Sequence, residues 1–243
     1  MNHTVQSIVA AATVSLVSAV AGAETMTMTF NNVGPSRTIQ LSYNAGRSFN
    51  QAGSGYVNDL AGRMNWTLAG GGSVTTFCTQ LSEYINYGQT VTYTVTSVEN
   101  VPDAPPAPMG ALRASLIRGL YARNWSTVQN TSNADLCAAF QLAVWEITHE
   151  NITANDASAI AQMNVFVGAI AANNANGTTL TVGNLANSLI ASLADEFNGD
   201  APGLVGLTHG SAQDQLLVVP VPMTAGLAAV GLLGAFAARR RMK

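Results

Sequence analysis

The sequence predicts an α+β fold: a β-rich body, sandwich- or barrel-like, with a helical insertion, all within one domain over residues 24–219. Three observations predict it. QTVTYTVTSV (89–98) alternates β-branched or aromatic residues with polar ones, as a half-buried strand does. VPDAPPAPMG (101–110) is proline-rich, which neither a helix interior nor a central strand accommodates. After it the character changes, and residues 136–145 run without glycine, proline or charge.

Taken in order, ETMTMTF (24–30) and RTIQLSY (37–43) alternate polar and apolar residues and predict two strands. Residues 62–69 and 74–79 predict two more around the Gly70-Gly71-Gly72 turn, and 89–98 a fifth. These make up a β-rich part, 24–100, that ends at the proline linker 101–110. The helical part, 111–198, predicts helices over 111–123, 133–150, 156–173 and 183–197. A last apolar run, DQLLVV (214–219), closes the sheet. No repeat of 20–50 residues is present.

Charge excludes one large class of function. The chain has 10 basic and 13 acidic residues, and its arginines are scattered apart from Arg239-Arg240-Arg241, so no nucleic-acid interface is expected. Residues 24–219 hold six arginines against 13 acidic groups, a formal charge of −7. Lys243 is the only lysine in the sequence. No CxxC, HExxH or GxxxxGK pattern occurs, and His3, His149 and His209 are too scattered for a zinc site. Neither a metal nor a cofactor is expected, and the last two histidines read as loop or helix-end residues.

Both ends read as targeting rather than fold. Residues 1–23 carry an apolar run from Ile8 to Val20 and close on Ala21-Gly22-Ala23, an A-x-A-type cleavage signal. A retained anchor is the other reading of that segment. Residues 220–243 place Pro220-Val221-Pro222 before sixteen uncharged residues, Met223 to Ala238, and then Arg239, Arg240 and Arg241. This order of parts resembles the PEP-CTERM sorting signals of bacterial envelope proteins, with valine between the prolines in place of glutamate. The resemblance implies an exosortase-type processing enzyme, transient membrane attachment through the tail, and delivery to the cell envelope, outer surface or extracellular matrix. A plain single-pass anchor is the alternative.

Inside the domain, FQLAVWEITHE (140–150) raises a chemical question. Ser132 and Asp135 suggest a capping box, and the helix after them is apolar almost all round, as a buried helix is. Gln141 lies in its middle. A buried carboxamide without partners costs about 1–3 kcal/mol, so it either bonds a neighbouring backbone or is consumed chemically.

The Phe77-Cys78 pair near the end of a predicted strand, with Phe140-Gln141-Leu142-Ala143-Val144-Trp145 well downstream, resembles the Cys–Gln thioester domains of bacterial surface adhesins. The resemblance spans about residues 60 to 200 and implies a thioester-domain-like fold. It also implies that the Cys78 sulfur joins the Gln141 side-chain carbonyl with loss of ammonia, leaving a masked electrophile for an amine-bearing surface or matrix molecule. Phe77, Phe140 and Trp145 are the candidate shields of that bond. A chain nearly without lysine suits a displayed electrophile, and an arginine preference of the genome accounts for it equally well.

Two other classes of function stay open from sequence. An exported chain with two cysteines can pair Cys78 with Cys137, one helical turn before Gln141, and be a non-reactive envelope protein. A cysteine hydrolase or transferase would use Cys78 with His149 or His209 as base, but no local signature supports one. The expected function is therefore covalent adhesion, not enzymatic turnover.

Overall fold

Strand β1 (Thr25–Tyr43) organises the β part of the molecule. The computed structural model describes residues 24–43, 55–103, 106–154, 156–195 and 199–219. The expected leader (1–23) and sorting tail, with Pro220, Pro222 and Arg239–Arg241, lie outside the described residues. The start of β1, Thr25 to Thr29, pairs with β4 (Thr90–Thr96), and Met28 to Leu41 pair with β2 (Val57–Leu68), both antiparallel. The two strands expected over 24–30 and 37–43 are thus one. Register shifts at Phe30/Asn32 and Val33/Ser36 absorb the intervening residues as bulges and bend the strand.

The remaining pairings close a ring. β2 pairs with β3 (Ser73–Cys78), β3 with β7 (Gln215–Val218), β7 with β6 (Leu204–Thr208), and β6 with β4, which returns to β1. The ring is barrel-like, antiparallel throughout. Strand β6 had no counterpart in the expected elements. Short β5 (Ile170–Ala172) joins the far end of β1. Met28, Phe30, Trp66, Phe77 and Tyr93 are buried, and along β1 and β4 the buried residues alternate with more exposed threonines, which sets the register. The barrel core contains a short polar chain: Trp66 donates to the Thr76 hydroxyl at 2.8 Å, which donates to Gln215 Oε1 at 2.8 Å.

Beyond the barrel, β1 and β2 continue as a two-stranded arm that leans on helix α2 (Ala134–His149). Every residue of α2 from Cys137 to Thr148 is buried, as its all-round apolar sequence predicts. Helices α1 (Gly110–Val128) and α3 (Gly177–Ala191) also pack on it. The cap differs from the expected Ser132–Asp135 box. Asn133 accepts from the backbone N–H groups of Asp135 and Leu136, while the Asp135 carboxylate pairs with Arg37 at 2.5 Å. Residues 101–110 are less a linker than a packed loop: Val101 and Met109 are buried, and Asp103 N–H donates to Asp214.

The helix expected over 156–173 does not form. Asp156 caps only a 3₁₀ turn, Ala157–Gln162. Several backbone N–H groups then bond side chains from elsewhere rather than a helical ladder: Asn164 N–H donates to Glu146 at 2.7 Å, Val165 N–H to Asn187 at 3.0 Å, and Ala169 N–H to Glu150 at 3.0 Å. The last helix starts earlier than expected, at Gly177, because Asn176 caps it through Thr179 N–H.

Where β2 crosses the bulge of β1, Gly62 meets backbone. A Cβ there would lie 2.5 Å from the Pro35 carbonyl and 2.7 Å from Ser36 Cα. Gly62→Ala is therefore expected to destabilise the domain by about 1–3 kcal/mol, the usual cost of overpacking. Denaturant unfolding measures it; unchanged stability would mean that the arm does not approach Gly62 this closely.

Candidate functional site

Cys78 is the last residue of β3, and its position on the strand decides what it can bond. The β2–β3 pairing ends at Met64 and Thr76, whereas the β3–β7 pairing continues to Cys78 and Gln215. In an antiparallel strand the N–H and C=O of one residue point to the same side. At Cys78 they point to the side that β2 has left. Gln141 fills that place. Cys78 N–H donates to Gln141 Oε1 at 3.1 Å, and Gln141 Nε2 donates to the Cys78 carbonyl at 2.8 Å. The carboxamide thus acts as one more rung of the ladder. Two turns on, Thr148 Oγ1 donates to the Thr79 carbonyl at 3.0 Å and ties the same helix to the same strand end.

This clasp sets the Cys78 thiol against the side chain that holds it, with Sγ 3.7 Å from Gln141 Oε1. Both residues are buried. Burial pushes the thiol up to about 12, the Trp145 indole N–H lowers it, and the charge of Asp59 raises it further. Apart from that influence the Trp145 N–H has no hydrogen-bond partner among the described residues.

A cavity of about 290 Å³ opens onto the pair. Cys78, Gln141 and Trp145 form buried wall, with Phe30, Met64 and Leu81, while Asn58, Leu60, Tyr84 and Tyr87 are its exposed members. The expected shields separate here. Trp145 lines the cavity. Phe77 and Phe140 pack on each other at 4.7 Å between ring centroids and join Tyr121 and Trp125 of α1, away from the cavity lining.

The second cysteine sits apart from this arrangement. Cys137 Sγ lies 3.8 Å from the Val128 carbonyl and feels the charge of Arg63, and no disulfide joins it to Cys78 in this structure. Neither histidine lines the cavity. His149 Nδ1 donates to the Trp145 carbonyl at 2.8 Å, and burial lowers its pKa to about 4, so it carries no charge at the helix end and is no exposed loop residue. His209 stacks edge-on to Tyr93 at 5.9 Å. These contacts turn His149 towards Trp145 and set His209 against Tyr93. Among the described residues no cluster of His, Cys, Asp or Glu could hold a metal ion, and no helix is long and apolar enough to cross a membrane.

Asp59 was not singled out by sequence. It lies on β2 opposite Ile39, lines the cavity, and leaves Oδ2 buried without a hydrogen-bond partner among the described residues. Burial raises its pKa to about 6. A charged residue within the otherwise uncharged run VNDLAG was the one available signal. No family model, curated protein or solved structure matches the chain.

The buried acids make stability depend on pH. Asp59, and Glu146 on α2, which burial and neighbouring Glu150 push up to about 8, bind protons more tightly folded than unfolded. Their contribution is complete below the ordinary carboxylate range and is lost as pH rises through about 6 and about 8. His149 has the opposite sign, its contribution fading as pH falls from about 6.5 towards 4. The carboxylates outweigh it, so the melting temperature is expected to fall steadily from about pH 5 to about pH 8. A flat or rising profile by calorimetry would mean that these acids are not buried as described.

Proposed function

We propose that this chain is an exported adhesion or matrix-attachment protein with a thioester-domain-like fold. In it Cys78 and Gln141 form an internal thioester that an amine-bearing surface or matrix molecule opens and joins covalently. The observation that carries this reading is the clasp, in which the thiol of Cys78 lies 3.7 Å from the carbonyl oxygen of the glutamine that its own backbone holds. Forming the bond transfers the Gln141 acyl carbon from nitrogen to sulfur and releases one ammonia. The Cys78 N–H already donates to Oε1, where negative charge develops as sulfur adds to the carbonyl. Positioning replaces an encounter in solution. The sequence features at the two ends support export and sorting: the apolar leader, and the tail with Pro220, Pro222 and the three arginines.

Accessibility fits a single-use electrophile. Cys78 and Gln141 are almost wholly shielded, yet the cavity gives a small amine a route to them. The product amide would remain, so the protein reacts once per molecule and does not turn over.

The purified mature protein is expected to weigh one ammonia less than its sequence. Methylamine should add its full mass as a methylamide at Gln141, one CH2 above the sequence mass, and expose one thiol at Cys78. Cys78→Ala and Gln141→Ala should each show the unreduced mass and capture nothing. Gln141→Ala should also cost about 1–3 kcal/mol for each Cys78 backbone group it orphans, whereas Cys78→Ala should be milder. Intact-mass measurement and counting of labelled amine per molecule check both; a loss of two hydrogens, or product beyond one equivalent, would overturn the reading.

A further inference from the structure

Every exchange at a Cys–Gln bond moves protons as well as the acyl group. An amine in neutral solution is an ammonium ion and cannot attack until it loses a proton. The leaving sulfur is a poor leaving group in this dry site unless it gains one. Some group at the cavity has to handle both.

The lining offers one group for this work. Among the described residues that line the cavity, Asp59 supplies the one carboxyl group, beside the Cys78 thiol and the phenols of Tyr84 and Tyr87. No lysine, arginine or histidine lines it among the described residues. Asp59 shares the cavity with Cys78, Gln141 and Trp145, and its charge reaches the Cys78 sulfur. Its Oδ2 is buried and unpartnered, which costs stability and needs a compensating use. Tyr84 and Tyr87, both well exposed, add aromatic surface at the same cavity, a surface that attracts cations.

We propose that Asp59 is the catalytic proton carrier for acyl exchange at Cys78–Gln141, and that its carboxylate selects primary ammonium groups over uncharged amines. The inference rests on the thioester reading above. The carboxylate takes one proton from the bound ammonium, and the freed nitrogen lone pair adds to the Gln141 carbonyl carbon. As the carbon–sulfur bond breaks, its electron pair goes to Sγ and the Asp59 carboxyl gives Sγ that proton. The carboxylate then takes the second proton from nitrogen and releases it to water. Ammonium ion and thioester become amide, thiol and one proton. Bond formation in the young protein is the same sequence in reverse, with ammonia as the departing amine, so the same group serves both directions.

Asp59→Asn keeps the shape and removes the proton carrier. The test compares the purified wild-type and variant proteins for ammonia loss, then for the rates of capture of methylamine, a cation, and hydroxylamine, largely uncharged at mildly alkaline pH. The variant is expected to capture methylamine about 100-fold more slowly, at the low end for general acid–base catalysis, with a much smaller loss for hydroxylamine. Failure of a normally melting variant to lose ammonia at all equally supports the proposal. Methylamine capture at the wild-type rate overturns it. A wild-type protein that shows no ammonia loss overturns the thioester reading itself, a separate result. Should the variant not fold, the wild type alone decides: unreactive tetramethylammonium should compete with methylamine and spare hydroxylamine. Equal effects on the two probes would overturn the selectivity and the role of Asp59 with it.

Discussion

The two hydrogen bonds between the Gln141 carboxamide and the backbone of Cys78 are the contact on which the rest of the structure depends. Strand β2 leaves β3 after Thr76 because it must turn along the arm with β1. That departure orphans a peptide group inside the protein, and burying it unpaired would cost about 1–3 kcal/mol for each polar atom. A helix side chain supplies donor and acceptor together, which among neutral side chains only asparagine and glutamine do with the geometry of a peptide. The choice of glutamine at the centre of an apolar helix is thus dictated by the sheet. The same choice fixes helix and strand in register, with Thr148 as the second tie.

Reactivity, in the reading proposed here, is a by-product of that structural need carried one step further. A carboxamide that must lie in the plane of a strand end necessarily brings its carbonyl next to the side chain of the strand residue. With serine or alanine at 78 the arrangement would be a structural pairing and nothing more. With cysteine it places a nucleophile where no diffusion is required. Forming the thioester would remove the Gln141 N–H donors and free the Cys78 carbonyl of its partner, a loss of about one net hydrogen bond. The Cys78 N–H would keep its acceptor. The group left behind is close to apolar and suits its surroundings of Phe30, Met64, Leu81 and Trp145.

How far the sequence showed this differs by element, for physical reasons. Helix α2 was legible because its apolar run is continuous over several helical turns and holds no glycine or proline. Strand β4 was legible because alternation is a local property. The strands β1 and β7 give apolar patterns, but the ring they close depends on pairings as distant as Thr76 with Gln215, 139 residues apart, which no local pattern encodes. Residues 156–173 misled because their composition suits a helix, while the acceptors that unwind them, Glu146, Glu150 and Asn187, lie elsewhere in the chain. The juxtaposition of Cys78 and Gln141 was expected only through the resemblance of their surrounding motifs. Asp59 fell before the strand expected at 62–69, and its charge within VNDLAG reads as an exposed residue until β2 sets it against the cavity.

Burial explains why such a site would be slow and durable at once. The Cys78 thiol is pushed up to about 12, so thiolate is scarce and chance alkylation or oxidation is suppressed. The same dryness raises the cost of forming the bond, since the sulfur must lose its proton before or as it attacks. A site that merely excluded water would be stable and inert. A site that merely activated sulfur would be reactive and short-lived. In the proposed exchange, one carboxylate with a pKa raised to about 6 at a cavity that no described lysine, arginine or histidine lines would separate the two demands: protons would move when an amine brings them, and water alone has neither the charge nor the lone pair basicity to exploit the carboxylate as well. The formal charge of −7 over residues 24–219 acts in the same direction, drawing cations towards the domain.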